Sequence, residues 1–317
     1  MDTTLILPPE PDRRWELARQ LGVETAVVRF WGHDEWWTYD HLLRTANRFA
    51  DHGLDLRVVE DRPPMGRTVL GQEGRDEEIE TVKTLVRNMG RVGIDVYCWV
   101  WTENPVGVVR TSESVPARGD SRTTAYDHEQ FERGPAYPVE VTEAELWEHL
   151  AYFLDEVVPV AEEAGVKLAL HPDDPPISPV RGVPRLVTSV ENYERILDLH
   201  PSPNHGVTFC QGNFAAMGAD VPAAIRRFGE DIHFVHFRDV EGTPDDFIET
   251  WQDDGPTAMD EAVRAYREVG FDGPVRPDHV PKMAGETGRD ESQPGYTDMG
   301  RLFAVGYIQG LLNATGD

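Results

Sequence analysis

The sequence predicts a (β/α)8 TIM barrel, a single domain spanning residues 1–317, on three observations. Eight short apolar, β-branched runs alternate with longer segments of helical periodicity. Continuous runs such as VKLAL at 166–170 suit strands buried on both faces of a parallel sheet. The rival, an open nucleotide-binding sheet, lacks its fingerprints: no Gly-x-Gly-x-x-Gly follows a strand, and no Gly-x-x-x-x-Gly-Lys-Ser/Thr occurs.

The first four strands are expected at 4–7, 25–30, 54–60 and 93–101. The remaining four are expected at 166–171, 206–210, 232–237 and 273–276. Between the third and fourth, Ile79, Val82, Leu85, Val86 and Met89 recur at helical spacing and form one apolar stripe over 76–92. Thr142-x-x-Glu145 is a capping-box pattern opening a helix with Leu146, Leu150, Phe153, Leu154 and Val157, which Pro159 should kink or end. Ser189 caps 190–199 with Val190, Tyr193, Ile196 and Leu197 inward. Helices over 220–228 and 259–269 stop at Gly229 and Gly270, and the last runs over 296–313. The segment 102–141 is too long for a plain connection, so a functional loop or subunit contact is expected there.

Composition excludes several classes. There are 57 acidic against 30 basic residues, a net charge of −27, and only Lys83, Lys167 and Lys282 are lysines. No basic cluster is available for a phosphate backbone, so nucleic acid is not an expected partner. No run approaches the roughly 20 apolar residues of a membrane span, and MDTTLILPPEPDRR does not read as a secretory signal. Two cysteines, Cys98 and Cys210, exclude a disulfide framework and favour a reducing cytoplasm. The acidic excess repels itself unless salt screens it, which together with the scarcity of lysine suggests a halophilic protein.

Ligand chemistry gathers at the ends of the last four strands. HPDDPP delivers His171, CQGNF delivers Cys210, IHFVHFRDV delivers His233, His236 and Arg238, and RPDH delivers Asp278 and His279. In a barrel these ends converge on one mouth. Two imidazoles, a thiolate and a carboxylate there make a divalent-metal site. His233 and His236 are an odd number apart and face opposite sides of their strand. His236, nearer the end and on the same face as Arg238, lines the mouth, and His233 is packed. Cys98, mid-strand between aromatics, reads as core; Asp173 and Asp174 read as turn carboxylates; Glu60 reads equally as mouth or rim ion pair.

HPDDPP at 171–176, FCQGNF at 209–214, IHFVHFRDV at 232–240, RPDH at 276–279 and PGYTDMGRLFAVGY at 294–307 together resemble the mannonate dehydratase family of metal-dependent sugar-acid dehydratases. Residues 75–94 and RTS at 110–112 resemble it too. The resemblance implies loss of water from D-mannonate to give 2-keto-3-deoxy-D-gluconate, with a divalent cation, usually Mn2+ and otherwise Fe2+, Co2+ or Mg2+. It implies metal ligation by His171, Cys210, His236 and Asp278, and acid/base roles for His279 and Tyr296. Two stretches depart from the family pattern, CWVWTENPVGVVRTS at 98–112 and VPKMAGE at 280–286, and both alter the expected substrate wall.

An aldonate needs a two-point cationic grip on its carboxylate. Arg238 is the first candidate and Arg110 the second. His279 and Tyr296 would share the proton transfers at C2 and the C3 oxygen. The competing readings are a sugar isomerase or epimerase on the same barrel, a dehydratase for another aldonic acid, a non-catalytic sugar-acid binder and a zinc hydrolase. A homo-oligomer is expected, with the Trp-rich segment 29–37 as pocket wall or subunit contact.

Overall fold

The structure, a computed structural model, describes residues 1–30, 33–102, 109–286 and 295–316. Twelve strands form among them: β1 (Asp2–Leu7), β2 (Thr25–Val28), β3 (Asp55–Glu60), β4 (Val96–Val100), β5 (Ser112–Pro116), β6 (Arg122–Asp127), β7 (Lys167–His171), β8 (His205–Cys210), β9 (Ile232–Phe237), β10 (Val240–Thr243), β11 (Asp246–Glu249) and β12 (Pro274–Pro277). Eight close into a barrel in the order β1-β12-β9-β8-β7-β4-β3-β2, every pair parallel. All eight expected strands are present, with ends shifted by up to three residues.

Alternation along each strand sorts two cores. Ile6, Val27, Val58, Val96, Cys98, Ala169 and Phe234 fill the barrel interior. Their neighbours Leu5, Val28, Val59, Tyr97, Leu168 and Val235 face out and pack under the helices. The helices begin where their caps are. Thr142 and Glu145 form the reciprocal capping box, and Ser189 accepts from the Asn192 amide at 3.1 Å. The helix Glu143–Ala164 runs through Pro159 instead of ending there, and stops at Gly165 in the left-handed region. No helix among the described residues is long and apolar enough to cross a membrane.

The segment expected as one irregular loop contains β5, β6 and the short helix His128–Glu132. Strands β10 and β11 form a hairpin directly after β9, and the four make an antiparallel sheet in the order β10-β11-β6-β5. Tyr126, Phe247, Val240, Val109 and Ala216 form its core. Within the expected loop and motifs, residues 103–108, Trp31, Gly32 and Pro294 lie outside the described residues.

Candidate active site

Register brings the strand-end residues together. Cys210 on β8 pairs with His236 on β9, and His236 pairs with Arg276 on β12. Val100 on β4 pairs with His171 on β7, and Glu60 on β3 with Cys98 on β4. These ends surround a cavity of about 290 Å3, lined among others by His171, His236, Asp278, His279 and Tyr296.

Three of the four expected ligands present donor atoms to one point. His171, Cys210 and His236 are buried, with one donor atom of each within 4.8 Å of the others. His171 Nδ1 lies 2.7 Å from the Pro172 carbonyl, which draws its hydrogen there and leaves Nε2 a lone pair. That Nε2 faces His236 Nδ1 at 3.1 Å. His236 Nδ1 also lies 3.4 Å from the Arg276 guanidinium, whose N–H groups favour a lone pair on this nitrogen when the ring is neutral. Two facing lone pairs with a sulfur beside them fit a cation between them. Burial raises the Cys210 thiol, but Arg238, His171 and His236 outweigh it and bring it down to about 6, into the thiolate range at neutral pH.

The fourth residue, Asp278, stands at the edge of this group. Its Oδ2 is 3.5 Å from His236 Nδ1, while its Oδ1 accepts from Arg276 Nη1 and the Tyr296 hydroxyl, both at 2.7 Å. Burial opposes its charge, yet Arg276 above all holds the carboxyl well below the usual range. Tyr296 reaches the cavity because its backbone bridges to Val280 just past β12. Burial and Asp278 push its hydroxyl up to about 12. Its ring lies 5.3 Å from that of His279. His279 adopts φ +43°, a left-handed conformation uncommon for a side-chain-bearing residue. The Gln252 amide ties down the carbonyls of Asp278 and His279 at 3.3 and 3.4 Å. Burial, with Arg110 and Arg238, keeps the His279 imidazole well below its ordinary value.

The model of the D-mannonate dehydratase (UxuA) family matches residues 14–138 and 135–317. The chain belongs to the mannonate dehydratase family. Mannonate dehydratase 2 of Halalkalibacterium halodurans is 36% identical over 307 residues, covering 88% of each chain. The mannonate dehydratase of Thermotoga maritima is 34% identical over 319 residues, covering 88% of this chain and 87% of that one. The crystal structure of mannonate dehydratase from Streptococcus suis superposes with a TM-score of 0.92 at 28% identity, covering 99% of this chain and 93% of that one. A D-psicose 3-epimerase matches at TM-score 0.64 and 13% identity, a likeness of barrel fold alone.

In this mannonate dehydratase family member the two arginines expected to grip substrate are placed elsewhere. Arg238 is fully buried, with Nη1 2.8 Å from Asp174 and 3.6 Å from Asp278, and Nη2 3.0 Å from Glu249. It also lies 3.5 Å from Cys210 Sγ. Arg110 is bidentate on Asp174 and reaches Glu249 at 2.6 Å. Neither lines the cavity; Arg29, Arg62 and Arg276 do. The cause is a knot of buried acids that needs both cations. Asp174 is an acceptor within it, whereas Asp173 takes the Val187 amide and the Thr102 hydroxyl and faces Arg185. His233 is packed at the opposite end of β9, as expected, and Cys98 is core but also borders the cavity floor. Glu249, raised to about 7 by burial, has an oxygen 3.6 Å from His279 Nδ1. Nothing in its short, polar strand DFIE singles it out from sequence.

Proposed function

We propose that this chain is a hydro-lyase that converts D-mannonate to 2-keto-3-deoxy-D-gluconate and water, with Mn2+ held by His171, Cys210, His236 and Asp278. The observation that carries the reading is the meeting of His171 Nε2, Cys210 Sγ and His236 Nδ1 beside Tyr296 and His279. Imidazole and thiolate donors of this kind suit a first-row divalent cation. When bound, such a cation offsets the negative charge that develops at the carboxylate end of the substrate as the C2–H bond breaks.

The chain's own groups do the rest. His279, kept neutral by burial and by Arg110 and Arg238, accepts the C2 proton. Tyr296, whose hydroxyl donates to Asp278 and so carries its proton, protonates the C3 oxygen as the C3–O bond breaks and water leaves. The resulting enol loses its O2 proton and gains one at C3, giving the 2-keto-3-deoxy acid. The cations on the cavity wall fit the substrate carboxylate better than the buried Arg238 and Arg110. Arg29, with a quarter of its side chain exposed (25%), is the first of them.

The test is a product assay over C5 and C6 aldonic acids and free ketoses, with Mn2+, Mg2+ or no added metal. A 2-keto-3-deoxy product from mannonate supports the reading. Epimerised ketose with no dehydration of any aldonate would overturn it in favour of the epimerase alternative.

A further inference from the structure

His236 belongs to two donor groups at once. Its Nδ1 faces His171, Cys210 and Asp278, and its Nε2 faces Glu60 and Cys98. Both groups contain three residues with metal-ligand chemistry, but they are not equivalent. Both Glu60 oxygens already face cations: Oε1 accepts from Arg276 Nη2 at 2.7 Å and from Arg29, and Oε2 accepts from Arg276 Nε at 2.7 Å. Two guanidinium groups sit where a second cation would have to approach. Cys98 Sγ is buried and accepts from the Thr208 hydroxyl at 3.2 Å. The Nε2 side is therefore built to take a proton and the Nδ1 side to offer a lone pair.

We propose that Glu60 is a positioning residue for His236: its carboxylate, 3.3 Å from Nε2, draws the ring hydrogen to that nitrogen and turns the Nδ1 lone pair toward His171 and Cys210. Nε2 is buried and has no aligned hydrogen bond among the described residues, so the nearby Glu60 carboxylate is what biases its tautomer. The clamp is rigid on both sides. Arg276 stands beside His236 in register and grips Glu60 in two-point fashion, while Arg29, from the end of the neighbouring strand, fastens the same carboxylate and its backbone carbonyl. The cavity wall that faces substrate and the imidazole that faces the ion are thereby held by one carboxylate.

This assignment rests on the metal-site reading above, so the experiment separates the two. The full chain, stripped with chelator, is titrated with Mn2+ in a calorimeter and with Co2+ in a visible spectrophotometer, both without substrate. Glu60→Gln removes the charge. Glu60→Asp keeps the charge that Arg29 and Arg276 need but withdraws the oxygens by one methylene, so it carries the test if the amide variant does not fold. Both variants are expected to weaken Mn2+ binding roughly 10–100-fold and to shift the Co2+ bands. In a His236→Asn background, Glu60→Gln is expected to add nothing further. Unchanged Mn2+ affinity and a superimposable Co2+ spectrum, even with turnover lost, would assign Glu60 to the substrate and overturn the proposal. Wild-type chain with no saturable Mn2+ site, or one indifferent to Cys210→Ser, would overturn the metal reading and this assignment together.

Discussion

His171 Nε2 and His236 Nδ1 face each other across 3.1 Å with Cys210 Sγ alongside. Such an arrangement is unfavourable without a positive charge among the three. Cys210→Ser replaces a thiolate by a neutral hydroxyl of similar size. It is expected to lower Mn2+ affinity by more than the roughly 10–100-fold typical of losing an outer hydrogen-bond partner. Metal content after dialysis, measured by plasma emission, checks this.

Tyr296→Phe removes one oxygen from the cavity and no metal donor. Turnover of mannonate is expected to fall about 10²–10⁴-fold, the usual worth of a positioned proton donor. Mn2+ affinity is expected to fall far less, because Arg276 still holds the Asp278 oxygen that loses the Tyr296 hydroxyl. Retained turnover would remove the hydroxyl from the reaction.

Arg29→Gln tests the carboxylate grip, read at saturating Mn2+ because Arg29 also holds Glu60. A charge-assisted hydrogen bond is worth about 1.5–3 kcal/mol, so KM is expected to rise roughly 10–100-fold. Arg110→Gln and Arg238→Gln, by contrast, leave the buried Asp174 and Glu249 short of a cation. Those two are expected to lower the melting temperature rather than raise KM selectively.

At the opposite end of the barrel, burial lowers His205 to about 4 and His233 to about 3. Both rings are neutral when folded and titrate near 6.5 when unfolded. The unfolded chain therefore binds more protons below 6.5, and the stability present above that value is lost as pH falls toward 4. For His205 the interval is worth about 3 kcal/mol. Urea unfolding at pH 7.5 and pH 5 is expected to show a clear loss, reduced in His233→Met.

With 57 acidic and 30 basic residues, the folded chain repels itself. Added KCl is expected to raise the unfolding midpoint steadily from low to molar concentration. A midpoint that does not move would remove the halophilic reading.

The sequence made the barrel legible because each buried strand is a continuous apolar run and each helix announces its cap, as Thr142 and Ser189 do. His171, Cys210, His236 and Asp278 were legible as chemistry because four successive strands end on ligand types. The antiparallel sheet was not, because SESVP, RTTAYD, VEGT and DFIE are short, polar and without strong alternation. Arg238 and Arg110 looked free for substrate because the acids that claim them, Asp174 and Glu249, are distant in sequence. Glu60 was ambiguous for the same reason: its partner Arg276 lies 216 residues away.

The four-stranded sheet is assembled from two separate excursions, one leaving β4 and the other leaving β9, knitted along Ala125–Asp127 and Asp246–Ile248. Neither half can be transplanted alone. A chimaera that imports a relative's first excursion must import its second as well, or the new edge will find no mate and Glu249 no Arg110.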